Sequence, residues 1–262
     1  MYRMVAVDLD GTLLGPDKSI HPDNQRAITG LIRRGVEVVL ASGRRYDNML
    51  PFQQRLGLVG PMVSCQGADV RDGDFVAQCF LRRDLAEDVI DFARQRNATI
   101  VAYAKAFTQV ERRDALVHLY ETRALTHVQT VPDLMASADA MFKIILSVPA
   151  ADMPPLAAEV RRRFNGSVKT VLTEADTFEI MTPGIDKAGG MAALAERRGL
   201  SKDQVVALGD GDNDVELLRW AGLGIAMSNA TPAAIAAAKL KAAPGDPANS
   251  LARAIGSLMP LG

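Results

Sequence analysis

Two groups of carboxylates stand out as residues able to do chemistry. Asp8 and Asp10 are separated by one leucine and followed by Gly11-Thr12. Far along the chain, Gly209-Asp210-Gly211-Asp212-Asn213-Asp214 gathers more acids around two glycines and an asparagine. Carboxylates brought to one place repel one another, and a hard divalent cation with oxygen ligands relieves that repulsion. Mg2+ is therefore the expected cofactor. Ser42-Gly43 offers a hydroxyl and a backbone N–H to a phosphoryl oxygen. Lys187, one of only eight lysines beside twenty-two arginines, can neutralise charge on the same group.

These residues need elements that bring them together. Met4–Leu9 is a short apolar run that predicts a buried strand, ended by the turn signal Asp10-Gly11-Thr12. Pro22 opens a helix with Ala27, Ile28, Leu31 and Ile32 on one face, closed by Gly35. Val36–Ala41 is a second strand, Tyr46–Leu56 a second helix and Pro61–Cys65 a third strand. Alternation of this kind predicts an α/β fold with a doubly wound parallel sheet. Ligands of such sheets bind beyond the carboxyl ends of the strands. Asp8 and Asp10 stand at such an end, and residues two apart on a strand point the same way, so both are expected to face one pocket. A strand at Gln204–Leu208 delivers the second acidic group to the same edge, ahead of a helix at Asp214–Ala221 and a strand at Gly224–Met227.

The middle of the chain reads differently. Leu85–Arg96 and Pro154–Phe164 are helical, while Thr99–Tyr103, Phe107–Val110, Lys143–Val148, Val168–Thr173 and Thr177–Met181 are strand-like. The last two flank Glu174-Ala175-Asp176 as a hairpin. We expect a discontinuous core domain of residues 1–80 and 184–262 with an inserted α+β domain at 81–183. The helix at Lys187–Arg198 restarts the alternation. Pro232–Lys241 is expected to be helical throughout, and Pro244–Pro247 a loop.

Asp8-Leu9-Asp10-Gly11-Thr12-Leu13-Leu14 resembles the first motif of the haloacid dehalogenase-like superfamily of phosphotransferases. Ser42-Gly43-Arg44 resembles its second motif, Lys187 its third and Gly209–Asp214 its fourth, in the right order. Phe178–Lys187 and Gly224–Ala230 resemble the Cof-type subfamily, whose large α+β cap is inserted between the second and third motifs. Gln66-Gly67-Ala68 departs from the subfamily's usual Asn-Gly-Ala, and Pro247–Leu251 lacks its usual acidic-Gly-Val segment. The resemblance implies Mg2+-dependent hydrolysis of small phosphate monoesters, sugar phosphates first among them. Asp8 would be the nucleophile that forms an aspartyl-phosphate, and Asp10 the general acid and base. The metal would be held by Asp8, the Asp10 backbone carbonyl and Asp210. Leu9, Ser42, Gly43, Lys187 and Asn213 would bind phosphate or substrate, with Asp214 orienting Lys187 or a metal-bound water. Arg44 would either reach phosphate or face solvent. Relatives sharing this core leave a phosphomutase, or a phosphatase for sucrose phosphate or mannosyl-phosphoglycerate, as alternatives. A non-enzymatic switch phosphorylated on Asp is the alternative from another class; a second acid two residues beyond the nucleophile argues for turnover instead.

Composition narrows the field. The 262 residues carry 30 Lys+Arg against 31 Asp+Glu, a net charge of −1, which removes the long-range attraction of nucleic-acid and anionic-membrane binders. Cys65 and Cys79 make no disulfide framework. With Asp8 interrupting the apolar N-terminal run and no stretch approaching ~18 apolar residues, a cytoplasmic protein is expected. Its expected partner is a phosphorylated metabolite, not nucleic acid or membrane, and the expected state is a monomer. Asp210, Asp212 and Asp214 mimic the start of an EF-hand loop, but Val215 and Ala221 stand where that loop needs Gly and Glu. His21, His118 and His127 show no ligand spacing, and the Arg161–Arg163 run is read as a solvated helix face.

Overall fold

The computed structural model describes residues 1–256. The chain divides into two compact units, one made of residues 1–77 with 186 onward, the other running from Gln78 to Ile185.

In the first unit, the chain runs β1 (Met4–Val7), α1 (Pro22–Arg33), β2 (Glu37–Ala41), α2 (Tyr46–Arg55), β3 (Met62–Ser64), β4 (Asp69–Asp72) and β5 (Phe75–Gln78). The second unit contributes α3 (Arg83–Gln95), β6 (Thr99–Ala104), β7 (Thr108–Val110), α4 (Ala115–Ala124), β8 (Gln129–Thr130), β9 (Met141–Ser147), α5 (Met153–Arg163), β10 (Lys169–Glu174) and β11 (Thr177–Met181). The first unit then resumes with α6 (Lys187–Arg197), β12 (Val205–Gly209), α7 (Val215–Trp220), β13 (Leu223–Ala226), α8 (Pro232–Ala237), β14 (Leu240–Lys241) and α9 (Ser250–Gly256).

The first sheet has the order β14-β13-β12-β1-β2-β3-β4-β5, parallel from β14 to β3, with β4 returning antiparallel to β3. Its central strands are apolar at successive positions because both faces are covered. Val5, Val7, Val38, Leu40, Val206 and Leu208 pack with Ile28 of α1, Met49 of α2 and Leu251 of α9. The intervening Met4, Ala6, Val39, Ala41, Val205 and Ala207 pack with Met191 and Leu194 of α6 and Leu217 of α7. Each fully buried Val or Leu contributes roughly 1.5–3 kcal/mol, so register is strongly specified. That register sets Val7 level with both Leu40 and Leu208. The residues that follow them, Asp8, Ser42 and Asp210, therefore leave the sheet at one edge.

Four departures from expectation stand out. β1 ends at Val7, so Asp8 and Asp10 lie beyond it and strand alternation does not govern where they point. The helix expected through Pro232–Lys241 stops at Ala237, and Leu240–Lys241 joins the sheet beside β13. Helix propensity of the alanines lost there to an open parallel edge. The β4–β5 pair extends the sheet where no strands were expected, and α4 was likewise missed, its apolar residues lacking a single stripe.

In the second unit, β10, β11, β9, β6 and β7 pair antiparallel in that order, with β8 parallel to β7. Ile100, Ala102, Ile144, Leu146, Phe178 and Ile180 turn one face toward Val89 and Phe92 of α3 and Leu156 and Val160 of α5. Alternation places Tyr103, Lys143 and Glu179 on the other face. Lys143 is buried there, its Nζ 2.6 Å from Glu179 Oε1 and 4.4 Å from the centre of the Tyr103 ring. Removing one partner of a buried pair strands the other charge. Lys143→Met alone should therefore cost about 3–5 kcal/mol in urea unfolding, and Lys143→Met with Glu179→Leu should recover most of it. Equal losses in the single and double variants would contradict this.

Candidate active site

The site is assembled at the sheet edge from four loops of the first unit. Lys187, the first residue of α6, has no exposed surface, and its Nζ lies 2.6 Å from Asp8 Oδ1 and 2.7 Å from Asp214 Oδ1. It is no ordinary surface lysine. Asp186 caps the helix by accepting from the Gly189 N–H. Asp214 is equally buried and uses its other oxygen, Oδ2, to accept from the backbone N–H groups of Asp210 and Gly211 at 3.0 Å each. That bonding folds the Gly209–Asp214 loop into the 3-10 turn Asp212–Asp214 ahead of α7. Orienting Lys187, one of the two roles expected of Asp214, is the one its geometry supports.

Asp210 is fixed from two sides. Thr12 Oγ1 donates to its Oδ1 at 2.7 Å, while Asn229 Nδ2 donates to Gly11 O at 3.0 Å and to Asp210 Oδ2 at 3.3 Å. Gly11 is a positive-φ residue at +87°, and a Cβ there would meet Asp210 Oδ2 at 2.2 Å. Glycine is thus required both by the turn and by the close approach of the carboxylate. Ser42 is buried and its Oγ accepts from the Arg44 N–H at 3.2 Å. The Leu9 side chain lies in the apolar core, so only its backbone can serve a ligand. Asn213 is half-buried, and its Nδ2 donates to Gln66 Oε1 at 3.3 Å.

Asp10 goes elsewhere. Arg44 Nε donates to its Oδ2 at 2.7 Å and Arg44 Nη2 to its Oδ1 at 2.8 Å, and Lys18 Nζ donates to Oδ1 at 2.8 Å. The expectation that Asp8 and Asp10 turn their carboxylates the same way is corrected: Asp8 faces Lys187 and Asp10 faces Arg44 and Lys18. Of the two places expected for Arg44, facing solvent is ruled out: it is buried as a bidentate partner of Asp10. Thr12, Lys18, Gln66 and Asn229 were given no role in advance. Lys18 stands eight residues beyond Asp10, a spacing with no periodicity to betray it.

Electrostatics follow from this placement. Burial pushes Asp8 well above the usual carboxylate range, with the charges of Asp214 and Asp210 adding to it and Lys187 opposing. Burial also lifts Asp210 to about 6, the Thr12 bond notwithstanding. Burial would lower Lys187, but Asp214 and Asp8 outweigh it and hold the ammonium above its ordinary value. Asp10 is the contrary case: burial alone would raise it, yet Arg44 and Lys18 hold it down to about 2. Carboxylate oxygens of Asp8, Asp210 and Asp214 lie within 4.8 Å of one another. Three carboxylates around one ammonium leave two negative charges, and the donors are all hard oxygens, so the cluster fits a divalent cation. Asp214 is the most enclosed of the three, with no exposed surface, one oxygen on Lys187 and the other on two backbone N–H groups.

A family model described as haloacid dehalogenase-like hydrolase matches residues 5–255. The chain belongs to that family. It is similar to the HMP-PP phosphatase of Serratia proteamaculans, 28% identical over 236 residues that span 88% of this chain and 86% of the relative. It is also similar to the 5-amino-6-(5-phospho-D-ribitylamino)uracil phosphatase YbjI of Escherichia coli, 29% identical over 253 residues, 92% of this chain and 90% of that one. The fold matches a solved haloacid dehalogenase-like hydrolase from Bacteroides thetaiotaomicron with a TM-score of 0.89, 24% identity, and coverage of 99% of this chain and 100% of that one. A non-enzymatic switch is thereby set aside. No helix among the described residues is long and apolar enough to cross a membrane.

A raised Asp210 makes stability pH-dependent. The folded state keeps that proton longer than the unfolded chain, so stability contributed by the protonated form is lost as pH rises from about 4 toward 6. A divalent cation competes with the proton for the same oxygens. Thermal unfolding of metal-free protein should show the midpoint falling across this window. Added Mg2+ should raise it more at pH 7.5 than at pH 5, and Asp210→Asn should weaken both effects, Asp8 supplying what remains. A midpoint indifferent to pH and to divalent cations would contradict the assignment.

Proposed function

We propose that the chain is a Mg2+-dependent phosphatase of small phosphorylated metabolites, acting through an aspartyl-phosphate on Asp8. The observation that carries this reading is the buried Lys187 ammonium between Asp8 and Asp214, beside Asp210 at the same sheet edge. Lys187 can both orient the nucleophile and take up charge from the phosphoryl group. Asp8 attacks phosphorus in line, a P–O bond to Asp8 forms and the ester P–O bond breaks. The departing alkoxide takes a proton from Asp10. A water then attacks the same phosphorus, gives its proton to Asp10, and releases orthophosphate with Asp8 regenerated. Asp8, the Asp10 backbone carbonyl and Asp210 would hold Mg2+, which would supply the charge neutralisation that keeps Asp8 ionised against its burial and lets an anionic phosphate approach. The Leu9 backbone, Ser42, Gly43, Lys187 and Asn213 hold the phosphoryl oxygens.

Asp10 in its present pairing is a carboxylate, and with both cations on it a weak base, its pKa held down to about 2. To act first as acid it must exchange one of its two cations for a proton, and Lys18, the more exposed of them, is the one free to leave. The names of the two relatives support a small substrate, and that of the Escherichia coli protein places the phosphate on a ribityl chain. A sugar or polyol phosphate is accordingly the substrate class we propose. A chain with only two cysteines, Cys65 and Cys79, has no disulfide framework to build, which supports a cytoplasmic setting.

Purified protein with Mg2+ should hydrolyse an aryl phosphate and, in a panel of phosphorylated metabolites, favour sugar or polyol monoesters. Asp8→Asn should lower kcat by at least about a thousandfold, as expected for loss of a covalent nucleophile. Undiminished turnover in that variant would remove Asp8 from its role.

A further inference from the structure

The segment after β3 is strained. Cys65 has φ +51°, Gln66 has φ +60° and ψ 27°, and Gly67 has φ +97°. Among the described residues, Cys65 and Gln66 are the only adjacent pair of non-glycine residues at positive φ. Left-handed backbone is costly for residues with a Cβ, and it persists only where the surroundings over-determine it.

The surroundings here are the loops that carry the proposed phosphate site. Cys65 N–H donates to Arg44 O at 2.8 Å and Gln66 N–H to Ser42 O at 3.0 Å, fastening the turn to the Ser42–Arg44 loop. At Gly67 a Cβ would meet Asp186 O at 2.0 Å, so the turn also presses against the backbone that starts α6 and carries Lys187. The Gln66 side chain is buried; its Oε1 accepts from Asn213 Nδ2, and its Nε2 lies 2.6 Å from where a Cβ on Gly43 would stand. One turn thus touches the Ser42–Arg44 loop and, more than a hundred residues further along the chain, both Asp186 and Asn213.

Resting on the phosphatase reading above, we infer that Gln66 is a positioning residue of the phosphate site, kept in a strained backbone because its side chain, seated against Gly43, holds Asn213 in place. Asparagine adopts left-handed backbone far more readily than glutamine. Gln66→Asn therefore relieves strain, while its amide, one methylene shorter, no longer reaches Asn213. Stability and phosphate grip should move in opposite directions, which a purely structural residue would not produce.

The test compares wild type, Gln66→Asn and Asp8→Asn by thermal unfolding with and without inorganic phosphate in the presence of Mg2+, and by steady-state hydrolysis of an aryl phosphate. Gln66→Asn should raise the ligand-free midpoint by about one or two degrees and shrink the upward shift produced by phosphate. It should also raise KM about five- to tenfold, the scale of one lost hydrogen bond, with a smaller change in kcat, because phosphate is gripped alike before and during reaction. A variant that gains stability with KM and phosphate protection unchanged, or one that loses stability, overturns the inference. Wild type that binds phosphate yet does not turn over fails the phosphatase reading alone, and wild type that does neither fails both.

Discussion

Everything at this sheet edge is arranged around one ammonium taken wholly out of water. Two unit charges 4 Å apart attract by about 4 kcal/mol at an effective dielectric of 20, while burying each ion costs several kcal/mol. A lone Lys–Asp pair would scarcely offset that cost. Lys187 is held by two carboxylates at 2.6 and 2.7 Å, and Asp214 in turn is satisfied by two backbone N–H groups. The arrangement therefore requires the Gly209–Asp214 loop to fold back on itself and the start of α6 to reach the end of β1. The parallel register that aligns Val7, Leu40 and Leu208 meets that requirement by burying apolar residues on both faces of the sheet.

The same constraint divides the acids into two kinds. Asp8, Asp210 and Asp214 share one ammonium and carry an excess of negative charge, so burial raises Asp8 and Asp210. Asp10, two residues from Asp8, has two cations to itself and stays ionised. Neighbouring carboxylates driven in opposite directions are suited to different tasks, one as nucleophile once a cation relieves its burial, the other as a proton carrier.

Much of the fold was legible in the sequence because apolar runs of four to six residues between helical stripes leave few alternatives to a doubly wound sheet. Lys187 and the two acidic groups were legible because their types are unusual for strand ends and their order along the chain matches known motifs. What the sequence did not disclose lies in side-chain reach and in contacts between distant loops. Arg44 was assigned to phosphate or solvent because nothing local indicates that its guanidinium would bend back to Asp10. Lys18 reaches Asp10 only through the turn at Gly15–Ser19, closed by backbone bonds that composition does not predict. The alanines after Pro232 favour helix on propensity, yet Leu240–Lys241 pairs with β13 because a sheet edge competes for their backbone. Gln66 registered only as a departure from a familiar triplet; its strain is a property of φ, which no residue type announces.

The most direct measurement is the titration of the Lys187 side chain by nitrogen-detected NMR of the ammonium group in protein without phosphate. The account predicts a protonated, slowly exchanging ammonium that persists above the usual lysine range and shifts toward it in Asp214→Asn. An Nζ that deprotonates at or below the ordinary lysine value, or that is unaffected by loss of Asp214, would contradict it.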